Sequence, residues 1–81
     1  MNPSVTWVVR AYEKKGDKLI EEFILPEFKM SELRMAMGRP PSDTMYEVYR
    51  IERSHSPYFE KLLGQVFDFS SREYFLECWE E

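Results

Sequence analysis

The stretch VTWVVRAYEKKGDKLIEEFIL, residues 5–25, constrains the fold more than any other part of the chain. Apolar and polar side chains alternate in it twice, on either side of KKGDK. Successive side chains on a strand point to opposite sides. Val5, Trp7, Val9 and Ala11 therefore share one face, and Thr6, Val8, Arg10 and Tyr12 the other. Gly16 supplies the positive φ of a tight reversal, so the two runs predict a β-hairpin. Pro26 has no N–H for a ladder and ends the second strand. A hairpin alone is marginal in water, so later segments must cover its apolar face.

Those segments are short. MSELRMAMG (30–38) predicts a helix with Ser31 as N-cap, Met30 stapled on Met35, and Gly38 at its end. Met30, Leu33 and Met37 form one apolar stripe, too narrow for an adaptable methionine groove and suited to core packing. GRPPSD is a turn, favoured by Pro40-Pro41, Ser42 and Asp43. MYEVYRIE (45–52) predicts a third strand. Glu47, Tyr49 and Ile51 lie on one side of it, and Tyr46, Val48 and Arg50 on the other. Such mixed faces suit a central strand with a helix over one side. SPYFEKLLG (56–64) predicts a second helix, with Ser56 as cap, Pro57 at the first position, and Gly64 at the end. Phe59, Leu62 and Leu63 make its buried side. In QVFDFSS, Val66, Phe67 and Phe69 turn inward. YFLECWEE (74–81) predicts a fourth strand, with Tyr74, Leu76 and Cys78 opposed to Phe75, Glu77 and Trp79.

The order is ββαβαβ. It predicts an α+β fold in one domain, residues 1–81, with a four-stranded, mainly antiparallel sheet and two short helices on one face. The third and fourth strands, joined through a helix, are either parallel neighbours or separated by another strand.

A chain of 81 residues buries only about 60–65% of the surface that it exposes when unfolded. Two Trp, five Tyr and six Phe raise the apolar yield of each buried position. With 43% hydrophobic and 32% charged residues, the chain reads as globular. MNPSVTWVV is too short, and is interrupted by Arg10, for a signal peptide or a membrane span. Cys78 is the only cysteine and cannot staple the fold internally, so the expected location is cytoplasmic. The net charge of −4 arises entirely in residues 65–81, where Arg72 stands against Asp68, Glu73, Glu77, Glu80 and Glu81. Such an end repels phosphate backbones and attracts basic partners, or simply keeps the protein solvated.

Catalysis has little to work with. His55 lies in a solvated RSHSP context, and nothing in the spacing links it to Cys78. One Cys and one His do not make a zinc site. The three glycines serve turns and caps rather than a phosphate loop, and Glu21 and Glu22 face opposite sides of a strand. The expectation is a non-enzyme with no catalytic residue, cofactor, metal or small-molecule substrate. Arg50, Arg53 and His55 are offset by Glu47 and Glu52, which disfavours nucleic acid. Recognition of another protein remains. The candidate partner-binding residues are Tyr46, Glu47, Tyr49, Asp68, Glu77, Trp79, Glu80 and Glu81, since aromatic side chains beside carboxylates offer rigid contact area and steering charge. Completing a small core is the competing role for Tyr46, Tyr49 and Trp79.

The hairpin VVRAYEKKGDKLIEEFILPEF, the segment GRPPSDTMYEVYRI and the terminal YFLEC together span most of the chain. In that order they resemble small bacterial immunity proteins of contact-dependent growth inhibition and related polymorphic toxin systems. The resemblance implies a protein without catalysis that binds a cognate toxin domain one-to-one, often a basic nuclease. It would block the toxin's active site or substrate groove. The alternative is a homo-oligomeric or adaptor module, motivated by the open edge that a four-stranded sheet leaves.

Overall fold

The computed structural model describes the backbone of residues 5–80 and the side chains of residues 5–79. Among the described residues the elements run β1 (Val5–Glu13), β2 (Leu19–Ile24), α1 (Met30–Ala36), β3 (Tyr49–Ile51), α2 (Ser56–Leu63) and β4 (Arg72–Glu80). The strands form one sheet in the order β2-β1-β4-β3, every neighbouring pair antiparallel. The α+β class and the ββαβαβ order are as the sequence predicts.

The hairpin closes through residues 14–17, where Gly16 (φ 91°) and Asp17 (φ 53°) both take the left-handed conformation. The Glu13 amide donates to the Lys18 carbonyl at 2.8 Å across the base of the loop. A register shift at Ala11 and Tyr12 sets Leu19 opposite Tyr12.

The third strand differs from expectation. It is an edge strand of three residues rather than a long central one, and it pairs antiparallel with β4. The reason lies at Met45. Its φ of 63° breaks an extended path, and its amide donates to Asp43 Oδ1 at 2.8 Å instead of joining a ladder. The Met45 side chain is fully buried, so apolar burial offsets the strain of that conformation.

The core lies on one side of the sheet. Val9 and Ala11 of β1, Tyr74 and Leu76 of β4 and Ile51 of β3 meet Leu33 and Met37 of α1 and Phe59 of α2. Phe67 stacks parallel on Tyr74 at 4.1 Å, and the Asp68 amide donates to the Tyr74 hydroxyl at 2.9 Å. The stripe through Leu33 and Met37 is buried as its spacing predicts.

Four local expectations are corrected. Helix α1 starts at Met30 behind Lys29, with no side-chain cap, so Ser31 lies inside it. Met35 is 80% exposed and forms no staple, because it points about half a turn away from Leu33. Val66 is 89% exposed, while the next residue, Phe67, is buried. At α2, His55 occupies the cap position, and the buried Ser56 hydroxyl donates to the Arg53 carbonyl at 2.8 Å. Gly64 ends the helix in the left-handed conformation expected of it (φ 66°). Among the described residues, no helix is long and apolar enough to cross a membrane.

Replacing Phe59 by Ala removes the largest wholly apolar side chain among the fully buried ones and is expected to cost about 3–5 kcal/mol. Met35→Gln is expected to stay within about 0.5 kcal/mol of the parent. Urea unfolding followed by circular dichroism checks both, and equal losses would contradict the placement of the core.

Candidate protein-binding face

Both helices pack on one side of the sheet, and the other side is built from alternate residues of the long strands. The β1–β4 register sets Thr6 opposite Trp79, Val8 opposite Glu77, Arg10 opposite Phe75 and Tyr12 opposite Glu73. Arg10 reaches diagonally to Glu77, with Nη1 2.8 Å from Oε1, and its Nε lies 3.7 Å from Glu22 of β2. The Tyr12 hydroxyl donates to the second Glu77 oxygen at 3.0 Å. The Arg10 guanidinium sits 5.7 Å from the Trp79 ring centre. Beneath this layer Val8 is fully buried, although it lies outside the helix-side core.

Nearer the β3 edge, Arg50 lies over the Phe75 ring at 6.0 Å and bonds Glu73 at 3.3 Å. Tyr12, Val48, Glu73, Phe75 and Glu77 line a shallow groove of about 300 Å³. Ile24 and Val48 are 64% and 62% exposed at opposite margins of the face. The result is a surface of exposed aliphatic and half-buried aromatic side chains, cross-tied by ion pairs.

Burial works against the Arg10 charge, but the Glu77 hydrogen bond and charge, with Glu22 behind them, raise its pKa above the ordinary arginine value. For Tyr12, burial first and the Glu77 hydrogen bond second hold the phenol protonated. Glu77 is thus a fixed acceptor for two donors from β1. Sequence reasoning singled out Glu77 and Trp79 but missed Arg10, Tyr12, Ile24, Val48 and Phe75 as their companions. Alternation already put Arg10 and Tyr12 on the face of Val8, and the missing information was which strand lies beside β1.

The other sequence candidates are dispersed. Tyr46 and Glu47 are exposed before β3, with the Tyr46 ring 6.1 Å from that of Trp7. Tyr49 faces the core side, where its hydroxyl donates to Asp43 at 2.8 Å and Arg39 lies over its ring at 5.5 Å. Asp68 sits in the turn before β4, at the opposite end of that strand from Trp79, and binds the hydroxyls of Ser70 and Ser71. The Glu80 side chain and Glu81 lie outside the described residues.

Cys78 faces the helix side, its thiol 3.5 Å from the Tyr46 carbonyl. His55 Nδ1 accepts the Glu52 amide at 3.0 Å. His55 follows Ile51, which pairs with Tyr74, four residues or about 13 Å along β4 from Cys78. The geometry therefore keeps the thiol and imidazole apart. Among the described residues, no group of three His, Cys, Asp or Glu is placed to hold a metal ion.

Asp43 organises the corner before β3. Its carboxylate accepts from the Met45 amide, Arg39 Nε at 2.6 Å and the Tyr49 hydroxyl, and its carbonyl accepts from Arg34 Nε at 2.6 Å. The Met45 amide first, then Arg39 and Tyr49, lower its pKa from 3.8 to about 2. A depressed carboxyl pKa stabilises the fold above the unfolded value and loses that contribution as pH falls toward the folded one. Asp43→Asn is therefore expected to lower the melting temperature at neutral pH. Its deficit against the parent should shrink between pH 4 and pH 2, the window set by those two values. A deficit independent of pH would show that the charge contributes nothing.

No curated protein matches the chain. Residues 6–77, nearly the whole of the described fold, match the family described as Domain of unknown function (DUF7683). The chain carrying this two-faced sheet is thus a member of the DUF7683 family.

Proposed function

We propose that this protein is an immunity protein that binds a cognate bacterial toxin domain one-to-one and blocks its active site or substrate groove. The observation that carries the reading is the uncovered sheet face. There, Ile24, Val48, Phe75 and Trp79 are presented among the carboxylates of Glu22, Glu73 and Glu77. Aromatic anchors bordered by charge are what a protein interface uses for contact area and register. The acidic excess of residues 65–81 favours a basic partner such as a nuclease and would speed its approach. The reading assigns the protein no catalysis, nucleic acid, membrane, cofactor or small-molecule substrate of its own, and places it in the bacterial cytoplasm, where such toxins act.

The test is affinity capture from the native host, followed by binding kinetics with whatever toxin domain is recovered. Glu77 ties Arg10 in place, so charge is better removed at Glu80 and Glu81. Glu80→Gln/Glu81→Gln is expected to slow association, with the difference vanishing at high salt. Trp79→Ala is expected to speed dissociation, at a cost of about 2 kcal/mol or more if it is an anchor. Wild-type association in the double variant would remove the acidic end from the reading, and wild-type dissociation in Trp79→Ala would remove this face from the interface. Recovery of no basic partner while the neighbouring gene product is expressed would overturn the toxin reading itself.

A second reading rests on the outer edge of β2, unpaired among the described residues and flanked by exposed Leu19, Ile20 and Ile24. An open edge invites strand addition, either between two copies or in an adaptor module. Size-exclusion chromatography with light scattering separates the two readings. A monomer is expected of the one-to-one inhibitor, and a homodimer at low micromolar concentration would favour the edge-paired module.

A further inference from the structure

At the end of the sheet where β1 leaves and β4 begins, four cationic side chains come together. Lys14 follows β1, Arg72 opens β4, and Arg50 and Arg53 come from β3 and the turn after it. All four line one cleft of about 340 Å³. Only two carboxylates, Glu52 and Glu73, share that lining. Arg50 lies between both of them, at 3.4 Å and 3.3 Å. Arg72 bonds Glu21 on β2, outside the cleft. Among the described residues, no carboxylate lies within ion-pair distance of Lys14 or Arg53. The Arg53 guanidinium is held 5.5 Å from the Phe69 ring centre, where the ring limits how far it can swing.

Four cations and two carboxylates thus line a cleft in a protein of net charge −4, and Glu21 outside the lining answers Arg72. Salt-bridge formation within the fold accounts for Arg50 and Arg72 but not for Lys14 and Arg53. Their convergence from positions about 40 residues apart is a product of the β1–β4–β3 pairing. Arginine presents N–H groups in a fork that matches the oxygens of a phosphate, and lysine adds a mobile point charge. A doubly charged oxyanion can answer both Lys14 and Arg53, whereas a singly charged carboxylate can answer only one of them. We infer that this cleft is a binding site for a phosphate group, held chiefly by Lys14 and Arg53 with Arg72 at its floor. The site shares Arg50 and Glu73 with the protein-binding face but not Lys14, Arg53 or Arg72, and its test requires no toxin.

The experiment is a ¹H–¹⁵N NMR titration of the whole protein with inorganic phosphate, and in parallel with sodium acetate and phosphoserine, at ionic strength held constant with sodium chloride. Phosphate is expected to give saturable shifts confined to the amides around Lys14, Arg53, Ser54 and Arg72. Arg53→Gln and Lys14→Gln should each weaken that binding about tenfold. Both side chains are exposed, so the variants are expected to retain the parent's dispersed spectrum. Saturable binding of phosphoserine at the same residues would support a phosphorylated ligand, and binding of inorganic phosphate alone would support the free ion. Shifts that never saturate, that spread over all basic residues, or that acetate reproduces equally well would overturn the assignment. So would wild-type phosphate affinity in both variants.

Discussion

The pairing of β1 with β4 is the contact on which the rest of this molecule depends. It runs from Val5 opposite Glu80 to Glu13 opposite Arg72 without a break in register. It joins the two long strands at the centre of the sheet, although they are the first and last elements in the chain. Closing so long a loop is entropically costly, and no single hydrogen bond repays it. What makes it favourable is the double-sided burial that the pairing creates. Val9, Ala11, Tyr74 and Leu76 meet the helices on one side, while Val8, paired with Glu77, is fully buried on the other. The edge strands then have something to attach to.

The same pairing explains why the aromatic face and the cationic cleft arise where they do. The two central strands supply both the ion-paired aromatic face and the first residues of the cationic cleft. Because their side chains alternate, helix-side residues can be chosen for packing and the intervening ones for recognition. Arg10 shows how closely the two are coupled. Its guanidinium bridges Glu77 and Glu22 and lies beside Trp79, so one charge ties three strands, β1, β2 and β4, on the outer surface.

Much of this could be read from the sequence, and the exceptions have physical causes. The hairpin was legible because period-two alternation flanks a glycine that only a reversal needs. The helix stripes at Leu33 and Met37, and at Phe59, were legible for a similar reason. The third strand was overextended because Met45 to Val48 have strand-like side chains, yet Asp43 captures the Met45 amide. Local hydrogen bonding of that kind overrides propensity and leaves no periodic trace. Tyr49 was offered as a binding residue, but its hydroxyl serves Asp43. Glu77 and Trp79 stand out in the sequence because aromatic side chains and carboxylates neighbour each other there, and their relation to Arg10 is visible only once β4 is known to lie beside β1. The cationic cleft escaped for the same reason, since its members are dispersed in sequence and offset by local carboxylates.

The corner around Met45 also bears on how the protein can diverge. Trp7 Nε1 donates to the Met45 carbonyl at 3.1 Å, and the Cys78 thiol lies near the carbonyls of Met45 and Tyr46. These ties hold main-chain atoms, not the exposed side chains of Tyr46, Glu47 and Val48. Tyr46 also sets its ring 6.1 Å from that of Trp7, so the path of the loop is insensitive only to which residues occupy positions 47 and 48. A lineage could exchange them one after another without loosening the scaffold beneath. The exposed positions of the loop can thus vary while the fold beneath them stays the same.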